Sequence, residues 1–381
     1  RAPWLAGSVY HRPELTGLLR IFGWAVALSA PGAVLLGLLQ GGRRFRPMVA
    51  IQSFAGPALL AGGYWLALRV EPSPRSAAAV FLGVALLQVL AAGAAVWWTV
   101  LRPAGAGRAE LRWRELLGFA LPMAVIDASS FGLRGLDIVL LGALVAPAQL
   151  GIYAAAQPIA LLVPFALAPV RMVFAPRIAA AHARGQTARL RSALVMTTAW
   201  ATLAGMTLFG VLAAFDEPIM RLLGREFAVG APVLLILAAG ALVNCAVGAV
   251  GQVLIMTDRP WMVACDNLAV TALVVAGLLI FAPMGGVTAA AVVMAAALAG
   301  VNLLRSWRVR REHGIVPWDR RTARLWIGFA PGLAAILIAR EMLPGMLGRA
   351  VGMVVYAVAV GAAAWSVWRD ASMSGGAGTS E

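Results

Sequence analysis

Eleven runs of about 18 or more mostly apolar residues follow one another along this chain, near 18–40, 48–68, 78–100, 117–145, 149–175, 192–214, 230–256, 262–282, 286–304, 324–339 and 348–367. About 20 such residues wound as a helix cross the hydrocarbon of a bilayer, because every backbone polar group is then bonded within the segment. The runs predict an all-α, polytopic helical membrane protein with about eleven transmembrane helices. Composition agrees: 61% of the residues are hydrophobic and 12% are charged, where a soluble domain carries roughly 25% charged residues. A water-soluble globule is excluded. Connections such as Gly41 to Pro47 and Met284 to Gly286 leave no room for a folded domain outside the bilayer, and the Gly/Ser-rich stretch 370–381 reads as a disordered cytoplasmic tail.

All 31 basic residues are Arg, and the net charge is +15. In a soluble protein that excess would point to nucleic acid; here it follows the loops. One face collects 20 of the arginines, among them Arg43, Arg44, Arg46, Arg102 and the group from Arg305 to Arg324, and the other collects 9. Basic loops stay cytoplasmic, so the excess is a topology signal that puts the C-terminus in the cytoplasm, and nucleic acid is not expected as a partner. The same count puts Arg1 outside, which predicts an odd number of helices ahead of residue 1. Without Lys there is no P-loop lysine and no Schiff-base chemistry. Cys245 and Cys265 sit in apolar runs and read as buried thiols.

The segment Met48-Val49-Ala50-Ile51-Gln52-Ser53-Phe54-Ala55 recurs as Met262-Val263-Ala264-Cys265-Asp266-Asn267-Leu268-Ala269, 214 residues on. Both copies start on the Arg-rich side, so the repeat is parallel, and helical repeats of this kind are a common transporter architecture. Extrapolated, the six helices of 117–304 have a first copy of which the last three are present, which places about 100 residues and three spans upstream.

Longer signatures carry a resemblance: Leu117-Gly118-Phe119-Ala120-Leu121-Pro122, Gly135-Leu136-Asp137 leading to Gly142, Leu150-Gly151-Ile152-Tyr153 leading to Gln157, Ala175-Pro176-Arg177, Glu217-Pro218 leading to Gly224, and Gly251-Gln252 leading to Arg259. Pro13-Glu14-Leu15, Gly37 to Gly41 and Arg44-Phe45 fit on the N-terminal side. In these the chain resembles the polysaccharide-biosynthesis membrane proteins, the O-antigen and related lipid-linked oligosaccharide flippases of the multidrug/oligosaccharidyl-lipid/polysaccharide exporter superfamily. The resemblance implies two six-helix lobes facing each other across a central cavity, with the first three helices missing. It divides this chain into 1–101 (the remainder of the N-terminal lobe), 115–306 (the C-terminal lobe) and 322–369 (two additional helices). The function it implies is export of a lipid-linked oligosaccharide on a polyprenyl diphosphate carrier, for lipopolysaccharide or another surface polysaccharide. Its implied partners are that lipid, membrane lipids and other polysaccharide assembly proteins; no cofactor and no metal is implied.

Ionisable residues inside the bilayer are the candidates for function, because burying them in hydrocarbon costs several kcal/mol. Asp127, Arg134 and Asp137 stand seven and three residues apart, so at about 100° per residue they fall within roughly an 80° arc of one helix. Two readings stay open: a structural Arg134–Asp137 bridge, or a cavity-facing Arg134 that binds a lipid diphosphate with the acids tuning it. Arg171 is a second cavity cation or a snorkelling one. Gln52 occupies the repeat position of Asp266, with Ser53 and Asn267 beside them; these are either interhelical hydrogen-bonding groups or a sugar-facing ring. Pro158, Pro164, Pro169 and Pro176 imply a kinked helix. His11, His182 and His313 fall in separate loop regions, and with no catalytic motif an enzyme is not expected. The alternatives are a multidrug/cation antiporter, which Asp127 and Asp137 would serve as coupling carboxylates, and a polytopic glycan polymerase or ligase.

Overall fold

The computed structural model describes residues 15–41, 44–102, 113–165, 167, 178, 180–257, 259–343 and 345–375. Among them every regular element is helical and none is a strand. The chain forms two compact units, Arg1–Arg112 and Trp113–Glu381.

The first unit holds α1 (Thr16–Gly41), α2 (Phe45–Val49), a π-helical segment (Ala50–Ala55), α3 (Gly56–Val70) and α4 (Pro74–Val96), which ends in a second π segment (Trp97–Leu101). Helix α4 starts where Ser73 caps it, its Oγ accepting from the N–H of Ser76 at 3.1 Å with Pro74 following. Both α1 and α3 pack on α4. The run 48–68 is thus one helical path under-wound at 50–55.

The second unit holds α5 (Trp113–Leu144), α6 (Pro147–Ala160), α7 (Thr187–Arg221), a 3₁₀ turn (Arg225–Gly230), α8 (Ala231–Val247), α9 (Val250–Met256), α10 (Pro260–His313), α11 (Arg320–Met342) and α12 (Gly345–Gly375). Its core runs through Leu141, Tyr153, Met206, Leu234, Leu278 and Tyr356. Helix α10 packs on α5 and α8, α7 on α8, and the α11–α12 pair on α7. Small residues make these approaches possible: a Cβ on Gly240 would sit 2.6 Å from the Cα of Ala295.

Seven helices of the described residues are long and apolar enough to cross a membrane, with Gly135–Leu144 a shorter apolar stretch. The difference from eleven runs has local causes. Gly286, at φ 58°, breaks the 54-residue α10 into two arms. Val293 packs where a Gly277 side chain would lie, so the arms fold back on each other and α10 is two spans joined by a glycine corner. Gly248, at φ 74°, ends α8 and separates α9 within the run 230–256. Helix α6 stops at Ala160, just past Pro158, and turns follow to Phe165, so the run 149–175 is not one continuous helix over its described part. Helix α12 continues to Gly375, past the expected start of the tail, and 376–381 lie outside the described residues. Cys245 is buried as expected; Cys265 is exposed, because the face of α10 that turns inward carries Asp266 and Asn267 instead.

Candidate functional site

Three buried polar clusters stand out, all in the second unit. The first surrounds Asp137, which is 1% exposed. Tyr153 Oη donates to Asp137 Oδ2 at 2.8 Å, Gln157 Nε2 donates to the same oxygen at 2.6 Å, and the Ile138 N–H donates to Oδ1 at 2.9 Å. Tyr153 and Gln157 lie one turn apart on α6, so one face of that helix presents both donors. The sequence reading quotes Tyr153 and Gln157 only within the 150–157 signature and gives Tyr153 no role. The side chains of Asp127 and Arg134, and all of Arg171, lie outside the described residues.

The second cluster ties α5 to both arms of α10. Asp266, 2% exposed, meets Arg308 Nη2 at 2.9 Å from Oδ1 and Arg305 Nε at 3.8 Å from Oδ2. Arg305 also donates to Asn267 Oδ1, and Asn267 Nδ2 donates to Ser129 Oγ at 3.2 Å. Oδ2 of Asp266 is buried and accepts no hydrogen bond among the described residues. Two guanidiniums thus meet one carboxylate. Arg305 and Arg308 read from sequence as loop charges, yet their side chains are only 13% and 25% exposed. The signal was there: reflected about Gly286, position 266 falls opposite 305–308.

Gln52, the repeat partner of Asp266, behaves otherwise. It lies in the π segment, is exposed, and makes no side-chain hydrogen bond among the described residues. Among the described residues, hydrogen bonding between elements is seen at Asn267, beside Asp266, and not at Gln52.

The third cluster is a clamp on α7. Phe215 leaves helical geometry at φ −122°, ψ 24°, and the break frees carbonyls of the preceding turn. Arg340 of α11 donates to the Ala213 carbonyl at 2.8 Å and Arg349 of α12 to that of Ala214 at 3.2 Å. The same two side chains meet Asp216 at 3.0–3.1 Å, and Arg349 reaches Glu217 at 2.8 Å. A few turns away the Tyr356 hydroxyl donates to the Met206 carbonyl, its ring filling the space a side chain at Gly210 would need. Sequence reading counted Arg340 and Arg349 only as loop charges on the arginine-poor face.

The histidines are not all separate: the rings of His182 and His313 are 6.1 Å apart edge to face, and His313 Nε2 lies 3.2 Å from Thr257 Oγ1. Among the described residues no three His, Cys, Asp or Glu side chains are grouped to hold a metal ion. A cleft of about 410 Å³ at the glycine corner of α10, lined by Gln149, Gly286 and Thr288 among others, includes none of the residues singled out from sequence.

The sequence model of a family described as polysaccharide biosynthesis protein matches residues 1–232. No curated protein matches the sequence. Among solved structures, the chain is similar to a lipid II flippase, MurJ, in an inward closed conformation, with a TM-score of 0.70 over 93% of this chain and 74% of that one at 12% identity. At that identity the likeness establishes a shared multi-span helical fold.

Proposed function

The chain belongs to the polysaccharide biosynthesis protein family, and from that premise we propose that it is a transporter, a flippase that moves an oligosaccharide on a polyprenyl diphosphate carrier across the bacterial inner membrane, with its C-terminus in the cytoplasm. The glycan, O-antigen or another surface polysaccharide, is delivered to and collected by other assembly proteins. The observation that carries this reading is where charge lies: in an apolar helical chain with a flippase-like fold, ionisable groups are buried inside the second unit, at Asp137 and at Asp266 with Arg305 and Arg308. Such groups inside a membrane protein mark a path for a polar substrate.

In this reading Arg134 binds the diphosphate through its planar fork, Asp127 and Asp137 tune it, and Arg171 and the polar group of Gln52, Asp266 and Asn267 meet the phosphates and sugars along the way. The surroundings of Asp137 support the first assignment. With three hydrogen-bond donors of its own, that carboxylate keeps partners when Arg134 is removed. Arg134→Ala is therefore expected to abolish movement of a labelled lipid-linked oligosaccharide across proteoliposomes while leaving membrane abundance near wild type; Arg134→Lys restores only part. A fall in abundance that accounts for the lost transport would mark Arg134 as structural instead.

The buried Asp137 also favours a second reading, a cation antiporter of the same superfamily. Uptake of an organic cation driven by an imposed pH gradient, lost in Asp137→Asn, would support it over lipid flipping.

A further inference from the structure

Four of the thirteen tryptophans are followed four residues on by arginine: Trp65/Arg69, Trp98/Arg102, Trp307/Arg311 and Trp365/Arg369. In three of these pairs the guanidinium lies over the indole ring, at 4.9 Å for Arg69, 4.7 Å for Arg102 and 5.4 Å for Arg311. Each pair closes a helix: Arg69 is in the last turn of α3, Arg102 follows the π segment that ends α4, and Arg311 is in the last turn of α10. The indoles face outward, 61%, 59% and 53% exposed, and so do the three arginines. No carboxylate among the described residues pairs with Arg69, Arg102 or Arg311; the ion pairs formed there belong to other arginines.

An indole at the end of a span sits at head-group level, and an arginine there reaches for the interface. Stacking adds geometry to that tendency. The ring occupies the face of the guanidinium and leaves its edge N–H donors available. Two parallel edge donors match the two non-bridging oxygens of a phosphodiester. A zwitterionic head group brings its own ammonium to neutralise that phosphate, whereas an anionic one does not. We propose that the Trp-x-x-x-Arg helix ends are head-group sites for anionic phospholipids, phosphatidylglycerol being the simplest. By the arginine count, Arg102, Arg311 and Arg369 fall on the cytoplasmic face, where anionic lipid attracts basic segments. The assignment stands apart from the flippase reading and needs no transport substrate.

The test uses the full chain in bilayers containing brominated phosphatidylglycerol or brominated phosphatidylcholine, which quench tryptophan fluorescence on contact; the ratio of the two quenching curves reads head-group preference. Replacing Arg69, Arg102, Arg311 and Arg369 together by Gln retains every tryptophan, and the three arginines whose contacts are described are exposed. The wild type is expected to prefer the anionic lipid, and the Gln variant to lose about fivefold of that preference at the affected sites. Lys at the same positions should restore only part, since an ammonium carries the charge without the fork. An unchanged preference in the Gln variant overturns the proposal. Full restoration by Lys overturns the stacked-fork geometry and reduces the sites to surface charge.

Discussion

The two units solve the problem of packing in a membrane in different ways. In Trp113–Glu381, buried side chains bond across helices: Tyr153 to Asp137, Asn267 to Ser129, Arg308 to Asp266, Arg349 to Asp216. In Arg1–Arg112, the side-chain hydrogen bonds between described residues stay within a helix or turn, as with Thr99 to the Ala95 carbonyl and Ser76 to Ser73. Every ion pair between described residues lies in the second unit. Helices of the first meet through small residues, Gly63 against Val80 and Gly32 against Val89. Dispersion between apolar faces tolerates small sliding, but a buried charge does not, because moving it off its partner exposes it to hydrocarbon. Among the described residues, the second unit is specified by polar contacts between helices and the first by shape. The two π segments, both in the first unit, fit that looser specification, since a single extra residue per turn can be absorbed where no polar contact fixes the register.

The comparison breaks most visibly at Asp216. Asp216→Ala would leave Arg340 and Arg349, 24% and 12% exposed, facing each other over the Phe215 break without their shared carboxylate. A loss of about 3–5 kcal/mol is expected, read as a lower unfolding temperature in detergent and reduced membrane abundance. Survival of the variant at wild-type stability would show that the shared carboxylate does not hold α11 and α12 on α7. Next in size is Gly248→Ala. At φ 74° its Cβ would lie 2.2 Å from Thr198 Oγ1, so left-handed strain and a clash combine to about 1–3 kcal/mol; an unshifted melting temperature would mean that α8 and α9 can straighten into one helix.

How much of this was legible in the sequence divides along the same line. The helical membrane fold was, because hydropathy is a local property and eleven apolar runs carry it. The corners at Gly286 and Gly248 were weaker signals, single glycines in apolar text. Asp137 stood out as a carboxylate in an apolar run, and the structure buries it; its described partners, Tyr153 and Gln157, come from the next helix and left no local signal. Arg305, Arg308, Arg340 and Arg349 were misread as loop charges because a residue near a span end looks the same whether it faces water or a buried acid more than thirty residues away. Long-range pairing is a property of the fold, and a count of arginines by loop cannot see it.

The finest test sets the repeat-matched positions against each other. Asp266 is held by Arg308 at 2.9 Å, and its replacement by Leu takes the carboxylate from that partly buried guanidinium, at a cost of about 3 kcal/mol. Gln52 is exposed and bonded to no described side chain, so Gln52→Leu should change stability by no more than about 0.5 kcal/mol in either direction. If Gln52 meets the sugars of a passing substrate, the same substitution should slow transport in proteoliposomes while the melting temperature stays put, a split that a structural role cannot produce. Should Gln52→Leu instead destabilise the protein as much as Asp266→Leu, the first unit holds a polar contact equal to those of the second, and the contrast between a shape-specified and a charge-specified unit fails at the position where the repeat makes it sharpest.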